Sequence, residues 1–131
     1  MDLSIPLDDR YVILVTARLH PGESNGSWMM DGFITYITSQ QSSAINLRKK
    51  VIFKIIPMLN PDGVVAGNFR CSMSGKDLNW CFKSKEKEMY PTVFALKELT
   101  CQLKRRYGTN FIAYYDFHGH SQKKNVFSYG P

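Results

Sequence analysis

The sequence has no apolar run that could cross a bilayer: Val12 to Val15 is its most strongly apolar stretch, and a spanning helix needs about 20 such residues. The N-terminus carries Asp2, Asp8 and Asp9 and no apolar h-region, which argues against a secretory leader. Cysteine is sparse. Cys71, Cys81 and Cys101 are odd in number and without CxxC spacing, so neither a disulfide framework nor a cysteine zinc knot is expected, and reduced thiols in a cytosolic protein fit better. There is no internal repeat and no low-complexity tract. Histidine is limited to His20, His118 and His120, all in two short clusters.

What is present suits a packed domain. The chain has 131 residues, 44% of them hydrophobic, with Phe 8, Tyr 7 and Trp 2 to fill a single core. Seventeen basic residues against eleven acidic ones give a net charge of +6, which favours an acidic partner. Nucleic acid, an anionic membrane and an acidic polypeptide all satisfy that balance.

Tyr11 to Ala17 (YVILVTA) is a near-continuous apolar, β-branched run and reads as a buried strand of a parallel sheet. Gly26 to Ser39 carries Met30, Phe33, Ile34 and Ile37 at helical spacing, with Ser24 or Asn25 as candidate cap. Asn46 to Lys50 reads as a short helical stretch and Val51 to Ile56 as a second strand. Pro57 to Phe82 is rich in Gly, Pro, Asn, Asp and Ser and reads as a long loop, a kind usually kept for function. Lys83 to Glu88 is charged surface. A helix opening at Pro91 runs through Val93, Leu96, Leu99 and Leu103 to Arg106 and stops at Gly108; Phe111 to Phe117 is the third strand. Alternating strands and helices imply an α/β fold, a mostly parallel sheet flanked by helices, with sites beyond the carboxyl ends of strands.

Both histidine clusters fall at such ends. HPGE follows the first strand and HGH follows the third. The proline after His20 disfavours helix there, so His20 and Glu23 belong to a tight loop that can turn two side chains toward one point. Imidazole and carboxylate both suit zinc, and a catalytic zinc wants three protein ligands with one position open; His118 can supply the third. Spacing alone leaves open a histidine pair that only hydrogen-bonds loops.

Three segments carry more. HPGESN at 20–25, NPDGVVAGNFRCSMSGKDLN at 60–79 and DFHGHSQKKNVFSYG at 116–130 resemble the zinc metallocarboxypeptidases, most of all the cytosolic branch that removes glutamates from tubulin and other acidic proteins. The resemblance implies a partial catalytic domain over 1–131, one zinc ion, and His20, Glu23 and His118 as its ligands. It implies Asp77 as the carboxylate orienting His20, Arg70 as the group that polarises the scissile carbonyl and contacts substrate, and Asn79 as half of an Asn-Arg pair that holds the substrate's terminal carboxylate. His120 is expected to make a loop hydrogen bond. The implied partners are acidic protein tails, tubulin above all, with neither nucleic acid nor membrane, in the cytoplasm at microtubules or cilia.

Two departures from the pattern stand out. Trp80 replaces the arginine of the Asn-Arg pair, and indole has one donor and no charge. The general-base glutamate of the family lies well after the third ligand, so the chain reads as a fragment that alone is inactive. Besides the carboxypeptidase, these departures keep in view an inactive zinc- or tubulin-binding fragment; the HxxE-then-His order also admits a small-molecule zinc acylase.

Overall fold

A computed structural model describes residues 6–130. The elements run β1 (Tyr11–Ala17), α1 (Ser24–Thr38), α2 (Ser42–Lys50), β2 (Val51–Ile56), α3 (Pro61–Val65), α4 (Pro91–Tyr107) and β3 (Phe111–Phe117). The three strands form one parallel sheet in the order β2-β1-β3. The run read as a buried strand is the central one, with Val12, Leu14 and Ala17 fully buried. Alternation then divides the core. Val12 and Leu14 face Val93, Leu96 and Leu103 of α4, while Val15 and Ala17 face Met30 of α1 on the other side.

The strand bounds coincide with the sequence reading, and the helices differ from it. Helix α1 begins at Ser24, and neither Ser24 nor Asn25 caps it: Glu23 holds the cap position without a side-chain capping bond, because its carboxylate is engaged elsewhere. Helix α2 starts at Ser42, four residues before the short helical stretch expected at Asn46 to Lys50. The segment 57–82 contains α3, with Pro61 in its first turn and the Asn60 side chain accepting from Gly63 N–H, and a 3-10 turn at Leu78–Trp80 that Asp77 caps through Asn79 N–H. Helix α4 ends on Lys104, Arg105 and Arg106, cations that complement its dipole, and Gly108 follows at positive φ.

Beyond the ends of β1 and β2 the two chains stay together. Leu59 N–H donates to Ala17 O and Asn60 N–H to Arg18 O, and the buried Asn60 amide donates to Leu19 O. That strap lies directly under the HPGE loop. Among the described residues no helix is long and apolar enough to cross a membrane, and Cys71, Cys81 and Cys101 are free thiols.

The start of α1 sits on the end of β3: a Cβ at Gly26 would lie 2.8 Å from Phe117 O, whereas a Cβ at Gly32 in the same helix would meet nothing within 4 Å. Gly32→Ala should therefore stabilise the chain by about 0.5–1 kcal/mol, the ordinary gain of alanine over glycine in a helix. Gly26→Ala should destabilise it by about 1–3 kcal/mol through overpacking, despite the same propensity gain. Urea denaturation of the two variants checks the opposite signs.

Candidate metal centre

The site is assembled from three segments that leave the sheet at the same end. Arg18, the residue after β1, takes a left-handed backbone at φ 60, turning the chain sharply out of the strand. Its guanidinium ties the turn down, donating to Pro21 O and to Ser27 Oγ, each at 2.7 Å. Gly22 N–H donates to Phe69 O at 2.7 Å, which fastens the loop to the segment carrying Arg70 and Asp77. At the end of β3, Gly119 N–H donates to Glu23 Oε2 at 2.7 Å, and a Cβ there would collide with the Asn25 amide at 2.6 Å.

These ties bring His20, Glu23 and His118 together, with one donor atom from each within 4.8 Å of the others. His20 Nδ1 lies 2.7 Å from Glu23 Oε1 and 3.1 Å from His118 Nδ1, which is in turn 3.1 Å from Glu23 Oε2. His20 is buried, and Glu23 and His118 are partly so.

The outer nitrogens decide what this cluster can hold. His20 Nε2 is 3.0 Å from Asp77 Oδ1, and His118 Nε2 is 2.8 Å from Asp116 Oδ2. Asp77 and Asp116 can each accept an Nε2 proton, the tautomer that leaves Nδ1 free for a cation. In that tautomer two Nδ1 lone pairs and the Glu23 carboxylate face one another, and a shared cation would bridge them. Carboxylate-backed imidazoles with a third carboxylate ligand make the donor set of a His₂Glu zinc site, so these residues fit that ion.

The neighbouring carboxylates and burial set the electrostatics. The Asp116 hydrogen bond raises the His118 pKa above its ordinary value; burial opposes this, and the charges of Asp116 and Glu23 add to it. Burial pushes the Asp77 carboxyl up, but hydrogen bonds from Asn79 N–H, Arg70 and His20 outweigh it and hold it below its ordinary value. Burial, reinforced by the Asp116 charge, pushes the Tyr114 phenol up to about 12.

The other sequence candidates are placed as follows. Arg70, 48% exposed, donates from Nε to Asp77 Oδ2 at 2.6 Å, so it stands one residue removed from His20. Asn79 meets the cluster through its backbone N–H on Asp77 Oδ1, and its side chain is exposed. Trp80 is 82% exposed on the same turn. His120 lies outside the donor set: its Nδ1 accepts from Gln122 and Lys123 N–H, and its ring contacts Phe127 and Tyr129. The sequence reading missed Asp116 and Arg18. Spacing held a signal for the first, since strand alternation puts Asp116 on the same face as His118; no local pattern marks the second.

A parallel α/β sheet bearing a His-Glu-His donor set beyond its strand ends defines a zinc hydrolase domain. Residues 7–130 match the zinc carboxypeptidase family, and the chain belongs to it. It is 52% identical over 118 residues to "Cytosolic carboxypeptidase 2" of Xenopus tropicalis, covering 90% of this chain and 12% of that protein. It is 48% identical over 121 residues to "Cytosolic carboxypeptidase 3" of Mus musculus, covering 92% and 12%. Among solved structures, a metallo-carboxypeptidase from Burkholderia cenocepacia superposes with a TM-score of 0.78 at 27% identity, over 92% of this chain and 31% of that one. One from Pseudomonas aeruginosa, in complex with (2-guanidinoethylmercapto)succinic acid, gives 0.74 at 29% identity, over 88% and 30%. The chain thus spans about an eighth of these curated relatives and under a third of these solved chains.

A raised His118 pKa has a signed consequence. In the metal-free chain its stabilising contribution is fully present below the ordinary histidine value of 6.5 and is lost as pH rises through the elevated folded value. Zinc needs the deprotonated ring, so affinity should fall as pH drops through the same range. Melting temperatures with and without zinc across that range check both trends, which should run in opposite directions.

Proposed function

We propose that the chain forms the metal-binding part of a carboxypeptidase catalytic domain, acting in the cytoplasm on glutamate-rich protein tails such as those of tubulin, at microtubules or cilia. In this reading His20, Glu23 and His118 hold one zinc ion. The observation that carries it is the convergence of two carboxylate-backed imidazoles, through their Nδ1 atoms, and the Glu23 carboxylate at the ends of β1 and β3. The relatives' names, which call them cytosolic carboxypeptidases, support the compartment and the reaction class. A net charge of +6 suits an acidic polypeptide as partner.

Zinc bound there would supply Lewis acidity toward a carbonyl oxygen and toward water. The chain's own residues do the positioning. Asp77 fixes the His20 ring, and Gly119 N–H fixes one Glu23 oxygen. Arg70 carries a permanent charge beside the site; its Nε is held by Asp77, and its half-exposed guanidinium suits a developing oxyanion. Asn79 offers an exposed amide to a substrate carboxylate. Glu86, Glu88 and Glu98 are exposed and lie outside the His20–Glu23–His118 group, so none of them is assigned as the base for water.

The test of the activity is chelator-sensitive release of glutamate from a glutamate-tailed peptide, with an acylated amino acid as comparison substrate. Hydrolysis of the acylated amino acid alone would overturn the carboxypeptidase reading. Metal analysis tests the ligands: His118→Ala should lose zinc while His120→Ala keeps it, and the reverse result would move the third ligand to His120. Trp80 offers no charge to a substrate carboxylate, so in a protein carrying the complete catalytic domain Trp80→Arg should raise kcat/KM on such peptides about tenfold or more, the worth of one charge-assisted hydrogen bond. An unchanged kcat/KM would show that another cation holds that carboxylate.

A further inference from the structure

The two histidines of the cluster are backed differently. Asp77, behind His20, is held by Arg70 and by Asn79 N–H at the half-exposed surface. Asp116, behind His118, is held from inside the sheet. Its Oδ1 accepts from Thr16 Oγ1 at 2.7 Å, and Thr16 Oγ1 lies 3.0 Å from the Tyr114 hydroxyl. Thr16 is fully buried on the central strand and stands opposite Asp116 in the β1–β3 register.

The proton order along this path is fixed. A threonine hydroxyl has one hydrogen, and it goes to the Asp116 carboxylate, which can only accept. The Tyr114 hydroxyl must then donate to Thr16. With Oδ1 so occupied, Oδ2 is left to the His118 Nε2 proton, and in the metal-binding tautomer Nδ1 presents its lone pair toward Glu23 and His20. Strand alternation supplies the geometry, because Tyr114, Asp116 and His118 fall on one face at successive even positions.

We infer that Thr16, with Tyr114 behind it and Asp116 before it, is a positioning residue for the metal site, setting the tautomer and ring orientation of His118. The inference rests on the reading of His118 as a ligand. A buried threonine in an apolar strand is otherwise filler that valine would replace at little cost. The chain of donors gives its hydroxyl a task that valine cannot perform and serine can.

The experiment measures zinc affinity by chelator competition, the absorption spectrum of the cobalt-loaded chain, and metal-free melting temperature, for Thr16→Val, Thr16→Ser, Tyr114→Phe and His118→Ala. Thr16→Val should bind zinc about tenfold more weakly and alter the cobalt spectrum, the scale on which partners of metal ligands act. Thr16→Ser should restore both, although it loses a methyl group. Zinc binding by Thr16→Val at the wild-type level would overturn the inference; so would Thr16→Ser binding as weakly as Thr16→Val, since packing would then be the cause. Should Thr16→Val fail to fold, Tyr114→Phe on the outer strand decides: a loss of about threefold supports the relay and wild-type affinity refutes it. If His118→Ala itself binds zinc normally, the ligand reading fails; if it loses zinc while the Thr16 and Tyr114 variants do not, only the relay fails.

Discussion

Parallel pairing of β1 with β3 is the constraint on which the site depends. It joins the exit of the first strand, with His20 and Glu23, to the exit of the last, with His118, across nearly a hundred residues of chain. No turn could do this, because parallel strands need a crossover, here the helical layers between them. The pairing has a register irregularity between Val12 and Ile13, and from there to the strand ends Thr16 faces Asp116 and Ala17 faces Phe117. A slip by one residue would turn His118 and Asp116 to the opposite face. Burial of Val12, Leu14 and Val15 of β1 on its two faces therefore secures the site's geometry as well as the fold.

Around that frame the protein solves an electrostatic problem twice. A ligand imidazole must present a lone pair, and the cheapest way to fix that tautomer is to give its other nitrogen an acceptor. Asp77 does so from a loop whose conformation Arg70 and Phe69 stabilise, and Asp116 does so from a strand. Each carboxylate also accepts at least one further donor, so the chain neutralises its charge locally and leaves it little freedom to rotate. The cluster is thus preorganised for a cation.

Much of this was legible in the sequence. Apolar runs marked the strands: Arg10 and Arg18 bound the first, Lys50 and Pro57 the second, and His118 follows the third. The HPGE and HGH clusters stood at strand ends and so pointed to a shared site. Helix α3 escaped because Gly63 and Gly67 read as loop, although Asn60-Pro61 is a cap followed by a first-turn proline. The start of α1 was misjudged for a functional reason: capping rules expect the best cap to cap, and Glu23 is engaged by His20, His118 and Gly119 instead. Asp116 lay inside FIAYYDF, where a lone acid reads as a solvent-facing residue; its partner Thr16 is a hundred positions away and became visible only with the register.

The span between the clustered side chains also sets a timetable. His20 and Glu23 leave the ribosome first, and His118 is separated from Glu23 by 95 residues. At roughly 5–20 residues per second, that is an interval on the order of 5–20 s in which the nascent chain displays only part of the donor set. During it His20 and Glu23 lack His118, and β1 has no partner on its β3 side. The cluster is complete only once β3 has paired with β1.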